Sequence, residues 1–145
     1  MEIGWYVGEV LAGFPSPAEP WRERALSLND LLAHPSATFF VRVRGNSMQG
    51  AGILEGDLLV VDRALSATHN SIIVAALGET FLVKRLLWQG ERIFLKAEHP
   101  DYPLREVTAD RHFQIWGVVI LVLRGVHPSV SFTALMKRPG NERTR

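Results

Sequence analysis

The fold of this chain is decided by the stretch SIIVAALGETFLVKRLL, residues 71–87. Two runs of apolar and β-branched residues flank the pair Gly78-Glu79, and runs of that composition favour β-strands. A two-residue break that contains glycine suits the tight turn of a β-hairpin. The sequence therefore predicts two antiparallel strands, 71–77 and 80–87, joined at Gly78-Glu79.

Further strand signals lie on both sides of this hairpin. The runs are 38–44, 58–61, 92–97 and 113–123. Turn residues such as Gly56-Asp57 and Gln89-Gly90 separate them. Short strands with a turn about every ten residues are typical of sandwiches and barrels. We therefore expect a mostly β protein, with a small β-sandwich or barrel-like domain over residues 26–126.

The N-terminal residues 1–25 are expected to form an extended arm. Prolines at positions 15, 17 and 20 hold the chain extended and prevent a helix there. The apolar residues 1–12 are too short for an independent element. Beyond the arm, residues 25–32 predict a short helix or turn with Ser27 as N-cap, which Pro35 ends.

The C-terminal residues 127–145 are expected to form a mobile basic tail. The basic residues there are Lys137, Arg138, Arg143 and Arg145, and Glu142 is the single acidic residue. The tail is compatible with an inert solvated end and with contact to nucleic acid or an acidic partner.

Composition excludes several classes of protein. The 145 residues carry a formal net charge of only +1, which does not suggest general nucleic-acid binding. The absence of cysteine excludes disulfides, thiol catalysis and thiolate metal sites. The five histidines are scattered without metal-ligand spacing, so we expect no metal and no cofactor. No apolar run approaches the roughly 18 residues of a membrane span, and the N-terminus does not resemble a secretory signal. We therefore expect a cytoplasmic protein.

Ser47 is a candidate nucleophile. It lies in Gly45-Asn46-Ser47-Met48, where a predicted strand ends and a turn begins. Gly45 allows the backbone to bend, and the amides of Ser47 and Met48 can face one point, as an oxyanion hole requires. The same sequence is compatible with an ordinary turn.

Lys84 is the candidate base, since no histidine is paired with an orienting acid at a strand end. Strand alternation places Leu82, Lys84 and Leu86 on one face, and Phe81, Val83, Arg85 and Leu87 on the other. Flanking leucines that desolvate Lys84 would lower its pKa and leave a neutral amine for general-base catalysis. Arg85 would then be the solvated charge. The alternative is that Lys84 lies on a solvated face.

An ordered set of motifs from about residue 13 to residue 126 resembles the self-cleaving serine–lysine peptidases of the UmuD and LexA type. The motifs are GFPSP (13–17), HPSAT (34–38), GNSM (45–48), GILEGDLLVVD (52–62), VKRL (83–86) and FQIWGVVI (113–120). Each motif alone is weak, but their order and spacing together are specific.

This resemblance implies a function and a set of site residues. Ser47 is the nucleophile, Lys84 is its base, and the cut falls between Ala12 and Gly13. RecA filaments on single-stranded DNA stimulate cleavage after DNA damage. The trimmed protein, residues 13–145, forms a homodimer and joins a UmuC-like Y-family polymerase in error-prone translesion synthesis. No direct sequence-specific DNA binding and no membrane association are implied.

Three other interpretations remain open at this stage. The protein can act mainly as a polymerase-binding subunit whose cleavage is minor. It can be a fragment of a LexA-like repressor, although the twelve residues before the cut cannot hold a helix-turn-helix. It can process other proteins, as signal peptidases do, although a matching site lies within its own chain.

Overall fold

The computed structural model describes residues 2–7 and 21–132. The chain divides into two compact units, Met1–Ser36 and Ala37–Arg145. The first unit contains an antiparallel pair, β1 (Glu2–Val7) and β2 (Trp21–Ser27). Residues 1–12 were expected to be too short for an independent element, and Glu2–Val7 forms its strand within a pair. A strand is stabilised by its partner, and here the partner comes from a distant segment.

Ser27 caps a short 3₁₀ helix, Leu28–Leu31, as its position in the sequence predicted. The Asn29 amide donates to Ser27 Oγ at 3.3 Å, and the Ser27 amide donates to Asp30 Oδ2 at 3.0 Å. This reciprocal pair is a capping box. The helix begins later than predicted, because Ala25 and Leu26 belong to β2.

The second unit is dominated by antiparallel strands. In chain order they are β3 (Thr38–Arg42), β4 (Leu58–Asp62), β5 (Ile72–Leu77), β6 (Thr80–Gln89), β7 (Arg92–Lys96), β8 (Arg105–Glu106) and β9 (Phe113–Leu123). Two further 3₁₀ helices are Pro35–Ala37, which spans the junction of the two units, and Gln49–Ala51. The predicted mostly β class is confirmed.

The strands form one sheet in the order β3-β4-β9-β5-β6-β7-β8. Pairing irregularities between Val60 and Val61 and between Val74 and Ala75 bend it. Although three strands separate β3 from β6 in the sheet, residues of both strands line one cleft. The sheet therefore curls towards a barrel and brings the ends of β3 and β6 together.

The core consists of two clusters that β5 separates. Val74 belongs to the cluster formed by Val43, Met48, Ile53, Leu59, Val61 and Val74. Ile73 and Ala75 belong to the cluster formed by Ile73, Ala75, Leu86, Leu95 and Val107. Alternate residues of β5 thus enter opposite clusters, as the two-residue period of a strand requires.

The predicted hairpin is present at Gly78-Glu79. Leu77 pairs with Thr80, and Gly78 has a φ of +63°, which glycine adopts without steric cost. The strand over 113–123 agrees with its predicted range, and the others differ by one or two residues at their ends. The sequence did not predict β8, because two residues are too few to show an alternating pattern. This strand forms by pairing with Phe94 and Leu95.

An ion pair between the buried Asp57 and the exposed Arg124 joins the start of β4 to the segment after β9. Asp57 is 1% exposed, and Arg124 Nε donates to its Oδ1 at 2.6 Å. The Leu54 amide donates to Asp57 Oδ2 at 2.7 Å. The hydrogen bond from Arg124 is the main reason that the pKa of Asp57 lies below its ordinary value near 3.8, and burial opposes the shift only in part.

We expect Asp57→Asn to lower the urea midpoint of unfolding at pH 7. A depressed carboxyl pKa contributes stability above the unfolded pKa of about 3.9, and that stability is lost as pH falls through the folded value. The gap between wild type and variant should therefore close below about pH 4. Replacement of the exposed Glu91 by Gln is the matched control. A difference in urea midpoint between wild type and Asp57→Asn that stays constant from pH 7 to below pH 4 would contradict the role assigned to the Asp57 carboxylate.

Candidate active site

Ser47 lies in the turn that follows β3. Gly45 has a φ of +85°, and the Gln49 amide closes the turn on the Asn46 carbonyl at 3.2 Å. The next side chain, Met48, is 1% exposed and belongs to the first core cluster. The buried methionine anchors the turn, and Ser47 itself stays half-buried at its surface.

Lys84 lies in the middle of β6, opposite Ile73 of β5. Leu86 is fully buried in the second core cluster, and Leu82 packs against the same cluster. Val83 packs against the first cluster, so the predicted division of faces is correct for these three residues. The Nζ of Lys84 is 2.8 Å from Ser47 Oγ, although 37 positions separate the two residues.

The surroundings of Lys84 favour the neutral amine. Burial lowers its pKa from the ordinary value near 10.5. Within residues 2–7 and 21–132, no carboxylate lies within ion-pair distance of its Nζ. A lysine that is partly desolvated and unpaired with an acid can accept the proton of a serine hydroxyl.

Arg85 differs from its prediction. Its side chain is only 26% exposed and forms an ion pair with Glu98, and Arg85 Nη1 donates to the Asn70 carbonyl at 2.8 Å. It is therefore not the solvated charge that alternation suggested. The sheet continues past β6 to β7, where Lys96 pairs with Arg85, and Glu98 follows two residues later.

The backbone amides of Ser47 and Met48 are available as donors. In the part of the chain that the structure describes, neither amide donates a hydrogen bond. The Met48 carbonyl, in contrast, accepts from Ala51 at 3.0 Å and from Ile53 at 3.3 Å. Two amides that have no partner among the described residues are candidates for an oxyanion hole.

A segment between β7 and β8 supports the turn, and sequence reasoning missed it. The Glu98 amide donates to the Ser47 carbonyl at 2.9 Å, and the Gly50 amide donates to the Glu98 carbonyl at 2.9 Å. Tyr102 Oη donates to Asn46 Oδ1 at 3.1 Å, and the Tyr102 ring centroid is 5.1 Å from Lys84 Nζ. Its only sequence signal was the turn composition of His99-Pro100-Asp101.

Ser47 and Lys84 line a cleft of about 200 Å³. Side chains from β3, β4, β5 and β6 also line it. The apolar members are Val41, Val43, Leu59, Val74, Phe81, Leu82 and Val83. Arg42 and Arg44 line it as well, so the cleft beside Ser47 has both apolar and charged walls.

Two sequence predictions concern residues that the structure does not describe. The bond Ala12–Gly13 lies outside the described residues, and so do all four basic residues of the tail. Within the described ranges, no group of three or more His, Asp or Glu side chains has the arrangement of a metal site. None of the described helices has the length and apolar character that a membrane crossing requires.

Comparison with known proteins agrees with the family resemblance that the motifs indicated. The family model described as Peptidase S24-like matches residues 5–120. Protein MucA of Salmonella typhimurium is 44% identical over 119 residues, which are 81% of each chain, and MucA of Escherichia coli matches equally well. The LexA repressor 1 of Pseudomonas syringae pv. tomato is 38% identical over 119 residues, which are 81% of this chain and 59% of that repressor. The chain therefore belongs to the peptidase S24-like family of UmuD-type and LexA-type self-cleaving peptidases.

Proposed function

We propose that the protein cleaves its own Ala12–Gly13 bond with Ser47 as nucleophile and Lys84 as general base. The contact of 2.8 Å between Lys84 Nζ and Ser47 Oγ is the observation that carries this proposal. Burial lowers the pKa of Lys84, so at a given pH more of this amine is neutral than in an ordinary exposed lysine. Family membership supports the same reaction.

Acylation follows from this geometry. Neutral Lys84 takes the proton from Ser47 Oγ as the oxygen attacks the Ala12 carbonyl carbon. The amides of Ser47 and Met48 hold the resulting oxyanion. The intermediate collapses, the bond between Ala12 and Gly13 breaks, and the Lys84 ammonium gives its proton to the Gly13 amine.

Deacylation repeats these roles with water. The ester now joins Ser47 Oγ to the Ala12 carbonyl carbon, and Lys84 is neutral again. Lys84 takes a proton from water as the hydroxide attacks this ester. The oxyanion is held as before, and the ammonium returns the proton to Ser47 Oγ. The products are residues 1–12 with a free carboxylate and residues 13–145 with a free amine.

Among the described strands, β3 lies at one end of the sheet with β4 as its neighbour, so its other edge offers a place for the substrate segment. Val43, which follows this strand, exchanges hydrogen bonds with Gly56 and Asp57 on the β4 side, at 2.9 Å each. By alternation, the backbone groups of Arg42 and Arg44 face this other edge. An extended peptide can add to such an edge as a further strand.

The sequence around the cut indicates which side of the bond binds there. Prolines 15, 17 and 20 lack amide hydrogens, whereas residues 8–12 (GEVLA) have all of theirs. We infer that Leu11-Ala12-Gly13 binds at this edge as an added strand during the reaction, with the residues before the cut as the hydrogen-bonding side. Ser47 follows the carboxyl end of β3. A substrate segment that lies along β3 and brings its own carboxyl end to Ser47 therefore runs parallel to β3.

Mass spectrometry after incubation tests the proposal. Wild-type protein, held at alkaline pH or with RecA, nucleotide and single-stranded DNA, should lose residues 1–12. Ser47→Ala should stay intact, because no nucleophile remains. Exposed Ser66→Ala is the matched control and should be cleaved normally. Release of residues 1–12 from Ser47→Ala would disprove the assigned nucleophile.

The proposal extends to the SOS response. The trimmed residues 13–145 form a homodimer in the cytoplasm and serve a UmuC-like Y-family polymerase, with RecA filaments stimulating the cut. The resemblance to UmuD and the 44% identity to MucA over 81% of both chains support this role. Light scattering on residues 13–145, and co-purification with a Y-family polymerase before and after cleavage, test the two partnerships.

A second candidate function is polymerase binding with cleavage as a minor event. The match to MucA, which covers 81% of each chain, favours it over a repressor fragment, since the match to LexA repressor 1 covers 59% of that protein. Damage-induced mutagenesis in cells that carry only Ser47→Ala separates the two functions. Full mutagenesis by this uncleavable variant would show that the peptidase is not the switch.

A further inference from the structure

Tyr102 contacts Lys84 of the proposed dyad and Asn46, which precedes Ser47. Its ring centroid is 5.1 Å from Lys84 Nζ, and its hydroxyl donates to Oδ1 of Asn46, the residue before Ser47, at 3.1 Å. The aromatic face thus lies against the base, and the phenol oxygen lies against the turn of the nucleophile. No feature of the sequence motifs assigned a role to this tyrosine.

The position of Tyr102 is fixed by its own segment. Its amide donates to the His99 carbonyl at 3.3 Å, and the His99 ring meets the tyrosine ring edge-on at 5.2 Å. The Asp101 amide donates to His99 Nδ1 at 3.0 Å. Glu98, at the start of the segment, is bonded to Arg85, to the Ser47 carbonyl and to the Gly50 amide. The ring is therefore held beside Lys84 by bonds that include the Ser47 turn.

We propose that Tyr102 is a positioning residue that stabilises the ammonium form of Lys84 while Ser47 attacks. The inference rests on the proposed function of the dyad. An aromatic face attracts a cation within about 6 Å of its centroid but gives a neutral amine no comparable attraction. At pH values above the pKa of Lys84, the ammonium forms only as Ser47 loses its proton. The ring therefore favours the transition state over the resting state, which is the condition for catalysis.

Among the described residues, no charged group near Lys84 provides an ion-pair partner for its ammonium, so the Tyr102 ring is the group that can stabilise it. Arg85 follows Lys84 on β6 and is paired with Glu98. Arg42 and Arg44 line the same cleft and disfavour a further positive charge. The titratable groups of the facing segment are Glu98, His99, Asp101 and Tyr102. Of these, Glu98 is engaged by Arg85, and the Asp101 carboxylate is 3.8 Å from His99 Nδ1.

The test is the pH profile of self-cleavage in the full-length chain. Tyr102→Leu removes the π face, so the alkaline plateau of the rate should fall by about fivefold to thirtyfold. Loss of a cation–π partner lowers the pKa of a lysine, so the midpoint of the profile should move to lower pH. Tyr102→Phe keeps the face; its midpoint should stay within error, and its plateau should fall by at most about threefold.

Fluorinated phenylalanines at position 102 separate the ring's electrostatics from its shape. Each added fluorine weakens the π face with little change in volume, so the plateau should fall stepwise across the series. A flat series would overturn the inference, as would a Tyr102→Leu midpoint that is unchanged or shifted to higher pH. Lys84→Ala, measured in parallel, distinguishes failure of the proposed base from failure of the inference about Tyr102. If Lys84→Ala still cleaves itself, Lys84 is not the base. If the fluorinated series is flat while cleavage still depends on Lys84, only the role of Tyr102 is refuted.

Discussion

Replacement of Lys84 by alanine is expected to slow cleavage at Ala12–Gly13 by roughly 10³-fold or more at neutral pH, because general-base help of this kind contributes about 10²–10⁴-fold. In the wild type, only the neutral amine can accept the Ser47 proton. Burial lowers the pKa of Lys84 from its ordinary value near 10.5, so the wild-type rate should rise with pH and level off below that value. First-order rates between pH 6 and 11, followed by mass spectrometry, measure this profile.

Two further variants make the Lys84 result specific. Lys84→Arg keeps a long cationic side chain that does not deprotonate in this range, so it should be as inactive as the alanine variant. Exposed Lys96→Ala on β7 is the matched control and should keep the wild-type profile. A Lys84→Ala protein that still cuts itself at alkaline pH with the wild-type profile would remove Lys84 from the mechanism.

Gly50→Ala is expected to slow self-cleavage by about 10²-fold, the cost of a misplacement near 1 Å. A Cβ at position 50 would lie 2.7 Å from the Glu98 carbonyl oxygen, which is a backbone atom. Since the Glu98 amide binds the Ser47 carbonyl, a shift of Glu98 is transmitted to the nucleophile. Cleavage rate and thermal unfolding of the same preparation provide the measurement.

Gly78→Ala separates this local effect from a general loss of stability. Gly78 lies in the hairpin turn with a φ of +63°, so alanine there is strained and costs about 1 kcal/mol of stability. Gly78 is not among the residues that line the cleft of Ser47 and Lys84, and the cleavage rate of Gly78→Ala should stay near that of the wild type. Equal rates for Gly50→Ala and wild type would show that the contact between Gly50 and Glu98 does not position Ser47.

Much of the architecture was predictable because strands and turns are indicated by residues that are close together in the sequence. The alternation in 80–87 and the glycine at position 78 depend only on local geometry, so the hairpin and the division of Leu82 and Val83 between two clusters were both predicted. The cap at Ser27 is local in the same sense. Ser47 and Lys84 were candidates from the chemistry of their neighbours, and the resemblance to a known family selected them.

Other features escaped prediction because their partners are remote in sequence. Glu2–Val7 forms a strand only through its pairing with Trp21–Ser27. Arg85 was expected in solvent, but its ion pair with Glu98 depends on how β7 and the following segment cover it. Tyr102 lay in a stretch that read as a plain turn, and its contacts with Asn46 and Lys84 involve residues 56 and 18 positions away.

The sequence by itself determined the mostly β class, the positions of the principal strands, and a serine on a turn with a lysine in an apolar strand. These properties follow from local periodicity and residue chemistry. Only the tertiary structure decided that Lys84 Nζ and Ser47 Oγ lie 2.8 Å apart and that Tyr102 lies against the amine. The physical reason is the curvature of the sheet, which brings β3 and β6 together across three intervening strands and depends on contacts that no local pattern encodes.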